Sequence, residues 1–310
     1  MLIFLYVILS LIVIYFITCF FIFRYIFART KPLNWLDKQS LKGTYWEDFA
    51  DNMPIMFKWL EDNNATEISF KTFDNLTLYG KFIKTENAKG TVILVHGYRG
   101  NFVSDFGVAL KMYKDFGFNI LTYHARATEK SQGKYVTFGI NEHKDLLSAI
   151  SYHNSIYGEI PVFVSGISMG ASTVMYAIDK DLPRNVKGMT ADSGYTSPYD
   201  IIKKVIKDRL GFDGSFLLLG IDFWCRLLGK FHLKECNIIK TLKNAKVPII
   251  FVHGKSDDFV PYTMTESGYM VCSSEKQLFL VDGAGHGTSY IKEQEMLTKA
   301  LEDFFAKHLN

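Results

Sequence analysis

Cysteine is scarce in this chain: Cys19, Cys225, Cys236 and Cys272 are the only four in 310 residues. Cys19 lies inside a long apolar run. The other three form an odd set without paired spacing, which argues against a disulfide framework and favours a reducing compartment. Cys225 and Cys236 stand too far apart for a zinc knuckle, and no second pair exists, so no metal ligand set is expected. A dominant charge is also lacking. The net charge is +3, and no basic patch with interleaved aromatics points to a nucleic-acid partner. Internal repeats and low-complexity segments are absent. With 48% hydrophobic and 22% charged residues, the chain reads as globular, with a well-supplied core and no long disordered region. Its length suits one large domain plus an appendage.

The appendage is at the N-terminus. Met1 to Phe23 carries no charge and is almost wholly Leu, Ile, Val, Phe and Tyr. As a helix it would be about 34 Å long, enough to cross a hydrocarbon core of about 30 Å. Arg24, Arg29 and Lys31 follow, with Tyr25 and Trp35 as interfacial aromatics. A cleaved signal peptide would instead have a basic start, a shorter apolar stretch and a small-residue cleavage site. The expectation is therefore an uncleaved single-pass anchor in the cell membrane. Because the positive flank lies on its C-terminal side, the large domain is expected in the cytoplasm.

Residues 24–65 read as a linker and amphipathic helices, with Phe49, Met53, Met56, Phe57 and Leu60 at helical spacing and expected to pack on the outside of the domain. Alternating apolar and polar residues over 67–73 and 76–84, around Asp74-Asn75, predict a hairpin. Short continuous apolar runs follow at 91–96, 119–123, 161–165, 187–191, 248–253 and 276–281. These read as strands buried on both faces, hence a parallel sheet flanked by helices. The helices are expected near 103–116, 142–156, 168–178, 263–272 and 290–308. The main domain thus spans 66–310, interrupted at 195–243 by a mostly helical insert. Its apolar stretch Phe216 to Ile221, with Phe223-Trp224 and Leu227-Leu228, fits either a core-packing excursion or a lid over the active site, and the lid is favoured.

Straight after the run at 160–165 comes Gly166-Ile167-Ser168-Met169-Gly170. This has the form of a nucleophile elbow, a tight strand-to-helix turn that projects a serine hydroxyl and needs glycines where backbones crowd. A serine attacks an ester or amide carbonyl only with a base, a group orienting that base, and donors for the oxyanion. His286, in Asp282-Gly283-Ala284-Gly285-His286-Gly287, is the candidate base, since a glycine-rich loop lets its side chain project. The orienting acid is Asp257, its neighbour Asp258, or Asp192 past the preceding strand. The candidate oxyanion donors are two backbone amides: that of Met169, at a helix N-terminus, and that of Tyr98, after His96-Gly97. His96 and His253 read as residues that position backbone. His143, His153, His232 and His308 fall on helical or exposed stretches.

In these motifs the chain resembles the α/β-hydrolase superfamily over roughly 67–308. It is most similar to bacterial serine hydrolases of the serine-aminopeptidase-like and cinnamoyl-esterase-like branch, some with an N-terminal anchor. The likeness runs through His96-Gly97-Tyr98, Gly166-x-Ser168-x-Gly170, Gly254-x-x-Asp257-x-x-Val260-Pro261 and Gly285-His286-Gly287, in the chain order Ser, Asp, His. It implies an eight-stranded, mostly parallel sheet, a helical cap after the sixth strand, Asp257 as the acid and no cofactor. One loop departs from the pattern. Relatives carry an Asp-x-Arg-Gly-His-Gly-x-Ser type sequence where this chain has His124-Ala125-Arg126-Ala127-Thr128-Glu129-Lys130-Ser131, keeping only the arginine and serine. The expected activity is a membrane-anchored serine hydrolase cleaving small-molecule or lipid-like carboxylic esters through an acyl-enzyme. A peptidase or an acyltransferase would use the same triad. A catalytically silent binding module would show a broken triad, whereas here all three members are present.

Overall fold

A computed structural model describes residues 1–44 and 46–309. Among these residues eight strands form one sheet: β1 (Thr66–Lys71), β2 (Thr77–Ile83), β3 (Gly90–Val95), β4 (Phe118–Tyr123), β5 (Val162–Ile167), β6 (Val186–Asp192), β7 (Ile249–Gly254) and β8 (Lys276–Val281). Their spatial order is β1-β2-β4-β3-β5-β6-β7-β8. β1 and β2 form the expected hairpin and β2 is antiparallel to β4; every other pair is parallel. β3, β4 and β7 are buried along their whole length, because helices cover both faces.

The twelve helices among the described residues are α1 (Leu2–Phe27), α2 (Lys38–Leu41), α3 (Met53–Asp62), α4 (Phe102–Asp115), α5 (Glu142–Tyr157), α6 (Met169–Ala177), α7 (Pro198–Leu210), α8 (Ser215–Trp224), α9 (Ile238–Thr241), α10 (Tyr262–Val271), α11 (Ser289–Lys292) and α12 (Gln294–His308). The expected last helix, 290–308, is two helices, broken at Glu293, whose φ of −125° and ψ of 55° are not helical. Two apolar clusters lie on the two sides of the sheet. One joins the sheet to α5, α6 and the insert α7–α9; the other joins it to α3, α4 and α12.

Helix α1 runs to Phe27, four residues beyond the expected end, and the domain accounts for the extension. Met1 to Ile14 are all exposed. From Tyr15 onward one face docks, and Cys19, Phe23 and Phe27 are fully buried. The last four carbonyls of a helix have no partner within it. Here all four are satisfied. Ala28 N–H donates to the Arg24 carbonyl, Arg99 Nη2 to Tyr25 at 2.6 Å, Tyr98 Oη to Ile26 at 2.6 Å, and Val136 N–H to Phe27 at 2.9 Å.

Its neighbour in this docking is α8. Tyr15 Oη donates to the Phe216 carbonyl at 2.7 Å and Trp224 Nε1 to the Phe16 carbonyl at 2.9 Å. A Cβ on Gly220 would stand 2.5 Å from Cys19 Sγ and 2.8 Å from the Tyr15 hydroxyl, so the two backbones approach only because that residue is glycine. All four cysteines are buried and free.

Candidate active site

The strand order reverses at β3, whose chain continues to β4 on one side while β5 pairs on the other. In an open α/β sheet this opens a crevice at the carboxyl ends of the strands. Two loops meet there, Ser168 after β5 and His96 to Arg99 after β3. Ser168 has φ 56° and ψ −117°, a strained conformation for a residue with a Cβ. The flanking glycines permit it. A Cβ on Gly166 would meet the backbone of Gly170 and Ala171, and one on Gly170 the carbonyls of Val95 and His96.

His286 Nε2 lies 2.9 Å from Ser168 Oγ, and its Nδ1 lies 2.7 Å from Asp257 Oδ2. Since a carboxylate only accepts, Nδ1 carries the hydrogen and Nε2 is free to accept from the serine. Of the three candidate acids the structure brings Asp257 to the histidine. The Asp258 side chain is exposed, while its carbonyl accepts from Lys204 Nζ. Asp192 hydrogen-bonds Ser193 Oγ at 2.9 Å, and its own carbonyl accepts the Ser168 N–H. Burial pushes the Asp192 carboxyl up to about 6.

Asp257 is itself tightly held. Oδ1 accepts the amides of Phe259 at 2.9 Å and Val260 at 2.7 Å, and Oδ2 also accepts His253 Nε2 at 3.0 Å. Burial alone would raise this carboxyl. The hydrogen bonds from His253 and His286 outweigh burial and hold it well below the usual carboxylate range. His253 therefore does more than the expected positioning of backbone, because it binds the carboxylate that faces His286. No local signal separated it from His96, since each closes a strand in a His-Gly pair. His96 does position backbone: its ring bonds the Gly97 carbonyl at 2.7 Å and accepts the Ala125 N–H at 2.9 Å.

The loop of Gly97 and Tyr98 presses on the serine, since a Cβ on Gly97 would lie 3.2 Å from Ser168 Cβ. Asp105 Oδ2 accepts the Gly97 N–H at 2.6 Å and fixes this loop. Neither the Tyr98 nor the Met169 amide has a hydrogen-bond partner among the described residues. Burial pushes the Tyr98 phenol up to about 12, so it remains the donor that caps α1.

Ser168 and His286 open onto an apolar cavity of about 400 Å³. Its walls include Met53 and Met56 of α3, Phe106, Ala109 and Met112 of α4, and Leu301 of α12. The segment read as an outer packing helix is thus a wall of this cavity. Its two methionines, flexible apolar side chains suited to an adaptable surface, were the available signal. The insert at 195–243, expected as a lid, contributes no residue to the cavity and packs against α1 instead.

The departing loop has its own structure. Arg126 forms a bidentate pair with buried Asp145, at 2.7 and 2.6 Å, and a second with Asp74, at 3.0 and 3.2 Å. Ala127 and Glu129, at the positions where the resemblance noted above places glycine, have φ of 59° and 44°. Glu129 is tied down by Trp35 Nε1 at 2.6 Å and, through its carbonyl, by Arg29.

No family profile matches the chain. The uncharacterized protein YqkD of Bacillus subtilis is 25% identical over 265 residues, covering 82% of this chain and 84% of its own. The yeast protein YNL320W, named as a membrane protein, is 24% identical over 232 residues, 73% of this chain and 75% of its own. Among solved structures, the Pyrococcus furiosus esterase Pf2001 superposes with a TM-score of 0.66 at 22% identity, over 81% of this chain and 96% of the esterase. The chain has the α/β-hydrolase fold, with one apolar helix long enough to cross a membrane at its N-terminus.

Proposed function

We propose that the protein is a membrane-anchored serine hydrolase that cleaves carboxylic esters with an apolar acyl group. The observation that carries this reading is the continuous hydrogen-bonded chain Ser168–His286–Asp257, opening on an apolar cavity. Ser168 Oγ attacks the ester carbonyl while His286 Nε2 takes its proton, and Asp257 holds the imidazole and stabilises its charged form. The amides of Tyr98 and Met169 receive the oxyanion; losing one such donor typically slows turnover about 100- to 1,000-fold. His286 then returns the proton to the leaving alcohol. A water, deprotonated by the same nitrogen, attacks the acyl-enzyme, releasing the carboxylic acid and restoring Ser168.

The esterase Pf2001, which shares the fold, supports the reaction class. Retention of α1 as an anchor is supported by its docked half. Cleavage after it would remove Cys19, Phe23 and Phe27, all fully buried, from the core. The flank of Arg24, Arg29 and Lys31 supports a cytoplasmic catalytic domain.

The test is fluorophosphonate labelling of the full chain in lipid vesicles, beside Ser168→Ala and His286→Ala. The expected result is a single label on Ser168, lost in both variants. A folded wild-type protein that takes no label would refute the hydrolase reading and favour a binding module.

A further inference from the structure

The uncharged apolar run of α1 continues to Phe23, well past the point at which the helix docks on the domain. Met1 to Ile14 stand clear of the domain. A hydrocarbon core of about 30 Å takes about 20 helical residues at ~1.5 Å each, and the first charge is Arg24, so a span counted back from there includes Tyr15 to Phe23. Helix α8 is bonded along the start of that docked segment. Tyr15 stacks on Phe216 with ring centroids 4.4 Å apart, Phe16 meets Phe223 at 5.0 Å, and Phe20 meets Trp224 at 5.1 Å. Whatever depth this part of α1 occupies, α8 occupies too.

Helix α8 is built for that depth. Residues 214–221 carry no charge. Its outward residues Phe216, Leu219 and Phe223 are 63%, 71% and 44% exposed and recur at three- and four-residue spacing, so they form one stripe. Leu227, 48% exposed, continues it. The charged residue on this side, Arg226, pairs with Asp222 at 2.8 Å at the far end of the helix. Interfacial helices bury an apolar face about 5–10 Å into the headgroup and acyl boundary, the depth such a stripe would reach.

We propose that the Phe216–Leu219–Phe223 stripe of α8 is immersed in the bilayer beside α1, so that the catalytic domain sits in the membrane surface and is not tethered above it. The partner is the lipid acyl layer. This rests on the reading of α1 as a membrane helix.

The test uses the full chain in phosphatidylcholine vesicles, some carrying nitroxide on the lipid chains. A cysteine is introduced by Leu9→Cys in free α1, Leu219→Cys in the stripe, or Asn87→Cys in an exposed turn before β3, at the end of that strand opposite Tyr98 and Arg99, which cap α1. Each is labelled with an environment-sensitive fluorophore; the native thiols are buried, and unmutated protein gives the background. The expected result is quenching at position 219 by lipid nitroxide within about twofold of that at position 9, with shielding from aqueous iodide and the reverse pattern at position 87. Quenching at position 9 alone, with position 219 open to iodide, overturns the proposal and leaves the anchor intact. Quenching at neither overturns both. Shielding of position 219 from both quenchers, with or without disulfide-linked dimers, also overturns it; dimers would identify a second copy as the cover.

Discussion

If the cavity beside Ser168 receives the acyl chain, turnover should depend on chain length in a calculable way. Each buried methylene contributes about 0.8 kcal/mol, so each added carbon should raise kcat/KM about fourfold until the cavity is full. From butyrate to octanoate that is about 3 kcal/mol, or roughly 200-fold. A methylene needs about the room of a water molecule, whose share of liquid is ~30 Å³, so 400 Å³ holds on the order of ten carbons. The gain should therefore level off near that length. Ala109 lines the wall, and Ala109→Phe should move the plateau to shorter esters, whereas Met56→Ala should move it to longer ones. The assay is kcat/KM on a p-nitrophenyl ester series, with all variants in the same detergent so that substrate partitioning cancels. A flat series for the wild type, or a plateau that both substitutions leave in place, would refute the assignment of this cavity to the acyl chain.

Three further outcomes are expected. His253→Ala removes a hydrogen bond to the Asp257 carboxylate, worth about 1.5–3 kcal/mol for a charged acceptor, so kcat/KM should fall about 10- to 100-fold with Ser168 still in place; an unchanged value would sink the idea that His253 steadies the acid. Ala127→Gly relieves a left-handed φ and should stabilise the protein by about 1 kcal/mol, seen as a rise in Tm, whereas Glu129→Gly should raise Tm less, because loss of the Trp35 bond offsets the same relief. Asp192 has a folded pKa of about 6, above the ~3.9 of an unfolded aspartate, so its proton is held more tightly when folded. Its contribution to stability is full below about pH 4 and is lost as pH rises through 6, a change of about 3 kcal/mol by pH 8. Asp192→Asn should accordingly melt higher than wild type at pH 8 and alike at pH 4; equal shifts at both would exclude this linkage.

Some of this architecture was legible without coordinates because the sequence carries local signals for it. Fully buried strands such as 249–254 are continuous apolar runs, and the hairpin is marked by Asn75, which adopts a φ of 64°. The elbow glycines are needed within five residues of one another, so Ser168 could be picked out by its neighbours. Asp257 and His286 were candidates on loop position and family pattern, and the structure links Asp257 to His286 and His286 to Ser168. What lay hidden was who packs against whom. The spacing of Met53 and Met56 identifies a face but not the cavity behind it. The face on the insert equally fits a lid, yet its partner is Cys19 in another part of the chain. His253 could not be told from His96, because the difference is a carboxylate four residues on and the loop that folds it back.

The capping of α1 bears on how relatives of this protein should be read. Tyr98 and Arg99 follow the His-Gly pair beside the serine, so an alignment showing them invariant would suggest a part in the chemistry. Their side chains instead close the end of a helix. Relatives without an N-terminal helix should therefore vary freely at both positions, and those that have one should keep a long donor at each. If α1 is the anchor proposed above, selection for it would then be written into the loop beside Ser168, where it can be mistaken for selection on catalysis.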